Sequence, residues 1–113
     1  LLKLSYAGRV IIVTSGAASK AKPFWGGYAV TKAAVQQLAL TYASECDASN
    51  VNVNLIEPGP IRTHMRKQAV PGEDPTKLPK PQDIAPLFVE LSAPSYTKTG
   101  QLVKFYDWAG IPR

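Results

Sequence analysis

Hydrophobic and polar positions alternate between two periods along the chain, and that change of period divides it into elements. Residues 9–14, Arg-Val-Ile-Ile-Val-Thr, are an almost unbroken β-branched run between Gly8 and Ser15-Gly16. Such a run is too short for a helix and too continuous for a strand with one wet face. It predicts a central parallel strand covered on both sides. Residues 28–46 contain no Gly or Pro and are rich in Ala, which predicts a helix. Two apolar stripes run along it, Val35, Leu38, Ala39, Tyr42 and Cys46 on one and Ala29, Ala33, Leu40 and Ala43 on the other. A surface helix needs only one such stripe. The second predicts a contact with another helix, from this chain or from a second subunit.

Residues 51–56 alternate and then turn apolar, predicting the next strand, which Glu57-Pro-Gly-Pro-Ile-Arg-Thr63 ends sharply. Strand, long helix, strand is a right-handed crossover. It places the loop at Pro58 beside the loop at Ser15, on one edge of the sheet. Residues 62–81, with five prolines and glycines interrupting mixed charge, predict a long irregular loop on the substrate side. Ile84, Leu87, Phe88 and Leu91 then follow helical spacing, with Asp83 as the expected N-cap and Pro86 in the first turn, where it is tolerated. Residues 101–106 predict a third strand, and the tail from Asp107 carries no pattern. The sum is β-α-β-α-β, an α/β fold: one half of a Rossmann-like, doubly wound parallel sheet.

Composition narrows the function. With 113 residues, 45% of them hydrophobic and 19% charged, the chain suffices for one core. No apolar stretch is long enough to span a bilayer, which leads to the expectation of a cytoplasmic protein. The single cysteine, Cys46, excludes an intrachain disulfide and predicts a small buried hydrophobe; with one histidine, no metal-ligand spacing exists. The net charge of +5 is dispersed, without the basic blocks or aromatic interleaving of a nucleic-acid module, so attraction for an anionic cofactor or substrate accounts for it as well. The chain opens on Leu1-Leu-Lys-Leu-Ser-Tyr, which reads as the end of a helix entered partway, and is expected to be a piece of a longer protein.

The candidate chemistry lies between Ser15 and Lys32. Tyr28 and Lys32, four residues apart, project from one face of a helix. A lysine ammonium and the positive end of the helix dipole both stabilise phenolate, so the pair can serve as a general acid and base near neutral pH. The plainer reading is a boundary tyrosine with a lysine lying along it. Ser15, at a strand end in the same crevice, can donate to a carbonyl oxygen, or can simply stabilise a turn. No Gly-x-Ser-x-Gly elbow accompanies it, so a serine hydrolase is poorly supported. The basic group Arg62, His64, Arg66 and Lys67 reads as a solvated loop face before it reads as a phosphate site. Trp25 and Trp108 either wall a substrate pocket or pack.

Ser15, then Tyr28-Ala-Val-Thr-Lys32 after twelve residues, then Pro58-Gly-Pro-Ile-Arg-Thr63 resembles the C-terminal, catalytic half of a short-chain dehydrogenase/reductase, across essentially residues 1–113. Thr63-His-Met-Arg, the stretch from Pro71 to Leu78, Asp83-Ile-Ala-Pro-Leu and Lys98-Thr-Gly are similar to the bacterial YciK-type members. The resemblance implies hydride transfer between a nicotinamide dinucleotide and a carbonyl or alcohol. It makes Tyr28 the acid/base, Lys32 its modulator and a ribose contact, and Ser15 the group that polarises the carbonyl. Pro58, Gly59, Ile61 and Thr63, with Tyr28 and Lys32, are the implied cofactor contacts. NADP or NAD is the implied cofactor, NADP being favoured, and a homodimer or homotetramer the implied assembly. The family's Gly-rich cofactor fingerprint and the residues that read the ribose 2′ position have no counterpart in the chain. They are expected in an N-terminal half preceding Leu1. A catalytically incomplete fragment, held by partners through its exposed strand and helix, is the alternative.

Overall fold

The computed structural model describes residues 1–112. Its elements run β1 (Gly8–Val13), α1 (Gly26–Glu45), β2 (Val51–Glu57), α2 (His64–Ala69), α3 (Pro81–Ser92), β3 (Leu102–Lys104) and α4 (Phe105–Trp108), with short 3-10 turns at Leu2–Leu4, Gly16–Ala18 and Pro75–Lys77. The three strands form one parallel sheet in the order β1-β2-β3. Gly8 to Val13 register against Val51 to Ile56, and Leu55 to Glu57 against Leu102 to Lys104.

Period-two alternation on β2 separates the core into two layers. Val51, Val53 and Leu55 face α1 and close on Ala39, Ala43 and Cys46. Ile56 faces the other way, with Ile61, Ile84, Leu87, Leu91 and Phe105. Small residues on α1 let that helix approach the sheet closely, and Cys46 is a buried, unpaired thiol, as expected. Burial draws Ala39 and Cys46 from one expected stripe and Ala43 from the other. Val30 and Leu38, by contrast, are about two-thirds exposed, so part of the helix's apolar surface is left uncovered.

The central strand among the described residues is β2, fully buried along most of its length, and not the run at 9–14. β1 lies at the sheet edge among the described strands; Val10 and Ile12 pack into the layer under α1 and Ile11 into the layer with α3, the cover on both faces that the sequence predicts, although all three are only half-buried and Val13 is exposed. The radius of gyration, 15.3 Å, exceeds the roughly 13 Å of a compact chain of this length, in keeping with the open edge and the cleft described below.

Several predicted boundaries move. α1 starts at Gly26, two residues before Tyr28. Glycine is a poor helix former, but the first-turn N–H groups need no intrahelical acceptor, and the Ala-rich run propagates back through them. α3 is capped at Lys80, not Asp83. Pro81 takes the first helical position and Asp83 the third, its Oδ2 accepting from the Lys80 N–H at 2.6 Å. Pro86 consequently falls in the second turn, inside the helix, where it removes the bond that the Gln82 carbonyl would accept. The predicted strand 101–106 stops at Lys104, because Phe105 and Tyr106 turn into α4, burying Phe105 against α3. That helix takes in Asp107 and Trp108 of the tail that carries no sequence pattern, and the tail's last residue, Arg113, lies outside the described residues. The segment 62–81 is not an irregular loop throughout; it contains α2 and the turn at Pro75–Lys77.

Buried polar side chains hold the connection into β3. Asn54, 1% exposed, donates from Nδ2 to the Lys98 carbonyl at 2.9 Å and accepts at Oδ1 from the Gln101 N–H at 3.0 Å. The Val53 N–H donates to Thr99 Oγ1 at 3.0 Å, and the Gly100 N–H to the Val53 carbonyl at 2.7 Å. Every one of these bonds ties 98–101 to the central strand, which sets β3 in register.

Candidate active site at the carboxyl ends of the strands

The carboxyl ends of β1 and β2 open on a cleft of about 1260 Å³. That exceeds the roughly 300–1,000 Å³ of a pocket for one small ligand. Of the predicted site residues, Ser15, Tyr28, Lys32, Pro58, Gly59, Ile61 and Thr63 all line it.

Ser15 follows β1 and caps the turn 16–18, its Oγ accepting from the Ala17 N–H at 3.2 Å. This is the turn-stabilising reading of the residue, and it leaves the other one open. The hydroxyl stabilises a turn with a lone pair and keeps its proton to donate. Tyr28, in the first turn of α1, is 38% exposed, with its ring edge-to-face against Trp25 at 5.6 Å. Lys32 lies one turn on. Its Nζ is 5.9 Å from the centre of the Tyr28 ring and donates to the Val13 carbonyl at 3.2 Å. One of three ammonium donors is thus anchored on the strand end, and the others remain for hydroxyl groups of a ligand.

The second wall comes from β2. Gly59 has φ +69°, a left-handed conformation, and a Cβ there would lie 2.8 Å from the ring of Tyr106. Glycine is required on both counts. Tyr106 in turn donates from its hydroxyl to the Pro60 carbonyl at 2.7 Å, pinning the Pro58–Pro60 bend to α4. Thr63 caps α2, accepting from the Arg66 N–H at 3.1 Å.

The basic group after this bend is not a free phosphate site. Arg66 makes two bonds to the Glu73 carboxylate, 2.6 Å from Nε and 2.8 Å from Nη2. The bond from Arg66 holds the Glu73 carboxyl below the usual carboxylate range, and the same bond raises the guanidinium. Arg62 donates from Nη2 to the carbonyls of Thr76 and Leu78 at 3.0 and 3.2 Å, and its N–H to Pro79 at 2.8 Å. Both arginines strap the segment 62–80, while His64 and Lys67 are exposed, as a solvated face should be.

Glu57, Met65, Phe88 and Tyr106 also line the cleft and escape the sequence reading. Tyr106 sits in a stretch with strand character, and Met65 in one that reads as loop. Only Glu57, directly before Pro58-Gly59, carries a positional signal. Trp25 lines the cleft, whereas Trp108 packs near Phe105 and donates to Glu90 at 2.9 Å. Among the described residues no cluster of three metal-ligating side chains occurs, and no helix is long and apolar enough to cross a membrane.

Comparison with known proteins agrees with this architecture. The family model for short chain dehydrogenase matches residues 1–74, well over half of the chain. The chain belongs to the short-chain dehydrogenase family. Among the family's curated members, the oxidoreductase YciK of Escherichia coli K12 is 40% identical over 101 residues, covering 88% of this chain and 40% of that protein. A short-chain dehydrogenase of Salmonella enterica serovar Typhi superposes with TM-score 0.88 at 38% identity, over 93% of this chain and 44% of the other. One from Shigella flexneri 2a, whose structure is complexed with NADP, superposes with TM-score 0.86 at 38% identity, over 93% and 44%. The chain spans less than half the length of these short-chain dehydrogenases.

Proposed function

We propose that the chain is the C-terminal, catalytic half of an NAD(P)-dependent short-chain oxidoreductase that interconverts a carbonyl compound and its alcohol. The observation that carries this reading is the convergence of Ser15, Tyr28, Lys32 and the Pro58–Gly59 bend on one cleft. The cofactor-bound state of the Shigella relative supports NADP over NAD.

The donor set suits a nicotinamide riboside. Lys32 has ammonium donors to spare for ribose hydroxyls, and Thr63 keeps its hydroxyl proton while its oxygen caps α2. Backbone at Pro58, Gly59 and Ile61 completes that side. When bound, the nicotinamide supplies or accepts the hydride. The side chains of this chain handle the proton. Ser15 donates to the carbonyl oxygen and fixes its position. Tyr28 delivers its phenolic proton to that oxygen as the carbonyl carbon is reduced, and the Lys32 ammonium stabilises the phenolate left behind. In the oxidative direction the same phenolate removes the hydroxyl proton.

Tyr28→Phe in the longer protein tests the assignment. Turnover should fall by about 10²–10⁴-fold, with dissociation constants for NADPH and NADH nearly unchanged. Retained turnover removes Tyr28 from its role. Titration of the 113-residue chain itself with both dinucleotides tests the second reading, a catalytically incomplete piece that depends on partners. β1, which pairs with β2 alone among the described strands, favours that reading for the isolated chain. Binding of neither dinucleotide supports it.

A further inference from the structure

We propose that Tyr106 is a positioning residue for the nicotinamide end of the cofactor, acting through the bend at Pro58–Pro60; this rests on the oxidoreductase reading and adds to its site a residue from beyond β3. The bend has few backbone donors. Pro58 and Pro60 carry no N–H, so Gly59 and Ile61 supply the two donors of residues 58–61, and neither donates to another described residue. Both residues line the cleft, and Ile61 is buried. An acceptor on a bound molecule satisfies such donors, and the oxygen of a carboxamide is one.

Where those donors stand depends on Gly59. The rings of Pro58 and Pro60 fix their own φ, whereas a glycine swings readily between positive and negative φ. Gly59 is held at φ +69°. Tyr106 secures it at two points: its ring edge lies 2.8 Å from where a Gly59 Cβ would stand, and its hydroxyl donates to the Pro60 carbonyl at 2.7 Å. The clamp is itself fixed. Phe105 beside it is 1% exposed and packs edge to face with the Tyr106 ring at 5.9 Å, and the Ile111 N–H donates to the Tyr106 carbonyl at 2.9 Å. Without the clamp, binding of the nicotinamide has to order the bend as well, and that ordering weakens affinity. The adenosine end of the dinucleotide gains nothing from the bend, so the effect is confined to one end of the ligand.

Calorimetric titration of the longer protein tests this with ligands in pairs, NADPH beside 2′-phospho-ADP-ribose and NADH beside ADP-ribose, the second of each pair lacking the nicotinamide. Tyr106→Phe keeps the ring and removes only the hydroxyl. It should raise the Kd of the dinucleotide by about three- to tenfold and leave that of the matching ribose compound within about twofold. Tyr106→Leu removes the ring as well and should widen the gap between the two; if that variant does not fold, Tyr106→Phe carries the test alone. Equal weakening of both members of a pair marks a general loss of structure and overturns the proposal. Dinucleotide binding by Tyr106→Phe that matches the parent overturns it too. If the parent binds neither NADPH nor NADH, the oxidoreductase reading itself falls and takes the proposal with it, an outcome read before any variant is made.

Discussion

Tyr106 donates its hydroxyl to the Pro60 carbonyl at 2.7 Å, across 46 residues of sequence, and its ring occupies the space beside Gly59 that any side chain there would need. The bend after β2 is therefore shaped from outside itself. Gly59→Ala forces a β-carbon into left-handed backbone and against that ring, and should cost about 2–3 kcal/mol in urea unfolding. Tyr106→Phe removes only the hydrogen bond, at a cost of about 1 kcal/mol. Equal effects for the two would show that the steric relationship is not what holds the bend.

Asn54 satisfies two backbone groups of the 98–101 connection from a position 1% exposed. Asn54→Leu has nearly the right volume but leaves the Gln101 N–H and the Lys98 carbonyl without their partner. A loss of about 2–4 kcal/mol is expected, since each buried orphan costs roughly 1–3 kcal/mol. The denaturation midpoint measures it, and a change below about 0.5 kcal/mol would mean that water replaces the amide.

Acid should loosen the strap at α2. The Glu73 carboxyl is depressed by the Arg66 hydrogen bond, so its contribution is present above the ordinary carboxylate pKa and is lost as pH falls through the lower folded value. Asp74 is depressed in the same direction by its bonds to Thr76. Amide exchange across residues 64–78, corrected for its intrinsic pH dependence, should therefore accelerate below about pH 4. Glu73→Gln should flatten most of that dependence, leaving the part due to Asp74.

Lys32 and Ser15 should separate kinetically in the longer protein. Lys32→Met deletes the ammonium proposed for both ribose and phenolate, so cofactor affinity and kcat should fall together. Ser15→Ala should lower kcat by about 10–10²-fold with cofactor affinity unchanged. Stopped-flow binding of NADPH beside steady-state rates distinguishes them, and identical profiles would merge the two roles into one.

The parallel α/β character, α1, the two principal strands and the spacing of Ser15, Tyr28 and Lys32 are determined by the sequence itself. Each depends on local periodicity or on residues close together along the chain: an uninterrupted β-branched run, an Ala-rich stretch free of Gly and Pro, two groups four apart on a helix. Tertiary contacts decided the rest. Phe105 leaves strand geometry because its ring is buried against α3, which no neighbour in sequence reports. Pro86 sits inside α3 because Lys80 and Asp83 cap that helix three residues earlier than its apolar spacing suggests. Arg62 and Arg66 look like free cations in the sequence, and become straps only when the fold brings carbonyls and a carboxylate 7 to 16 residues away to meet them. The cleft has the same origin: its catalytic candidates lie near one another in sequence, but Met65, Phe88 and Tyr106 reach it only because parallel strands deliver their carboxyl ends to one edge.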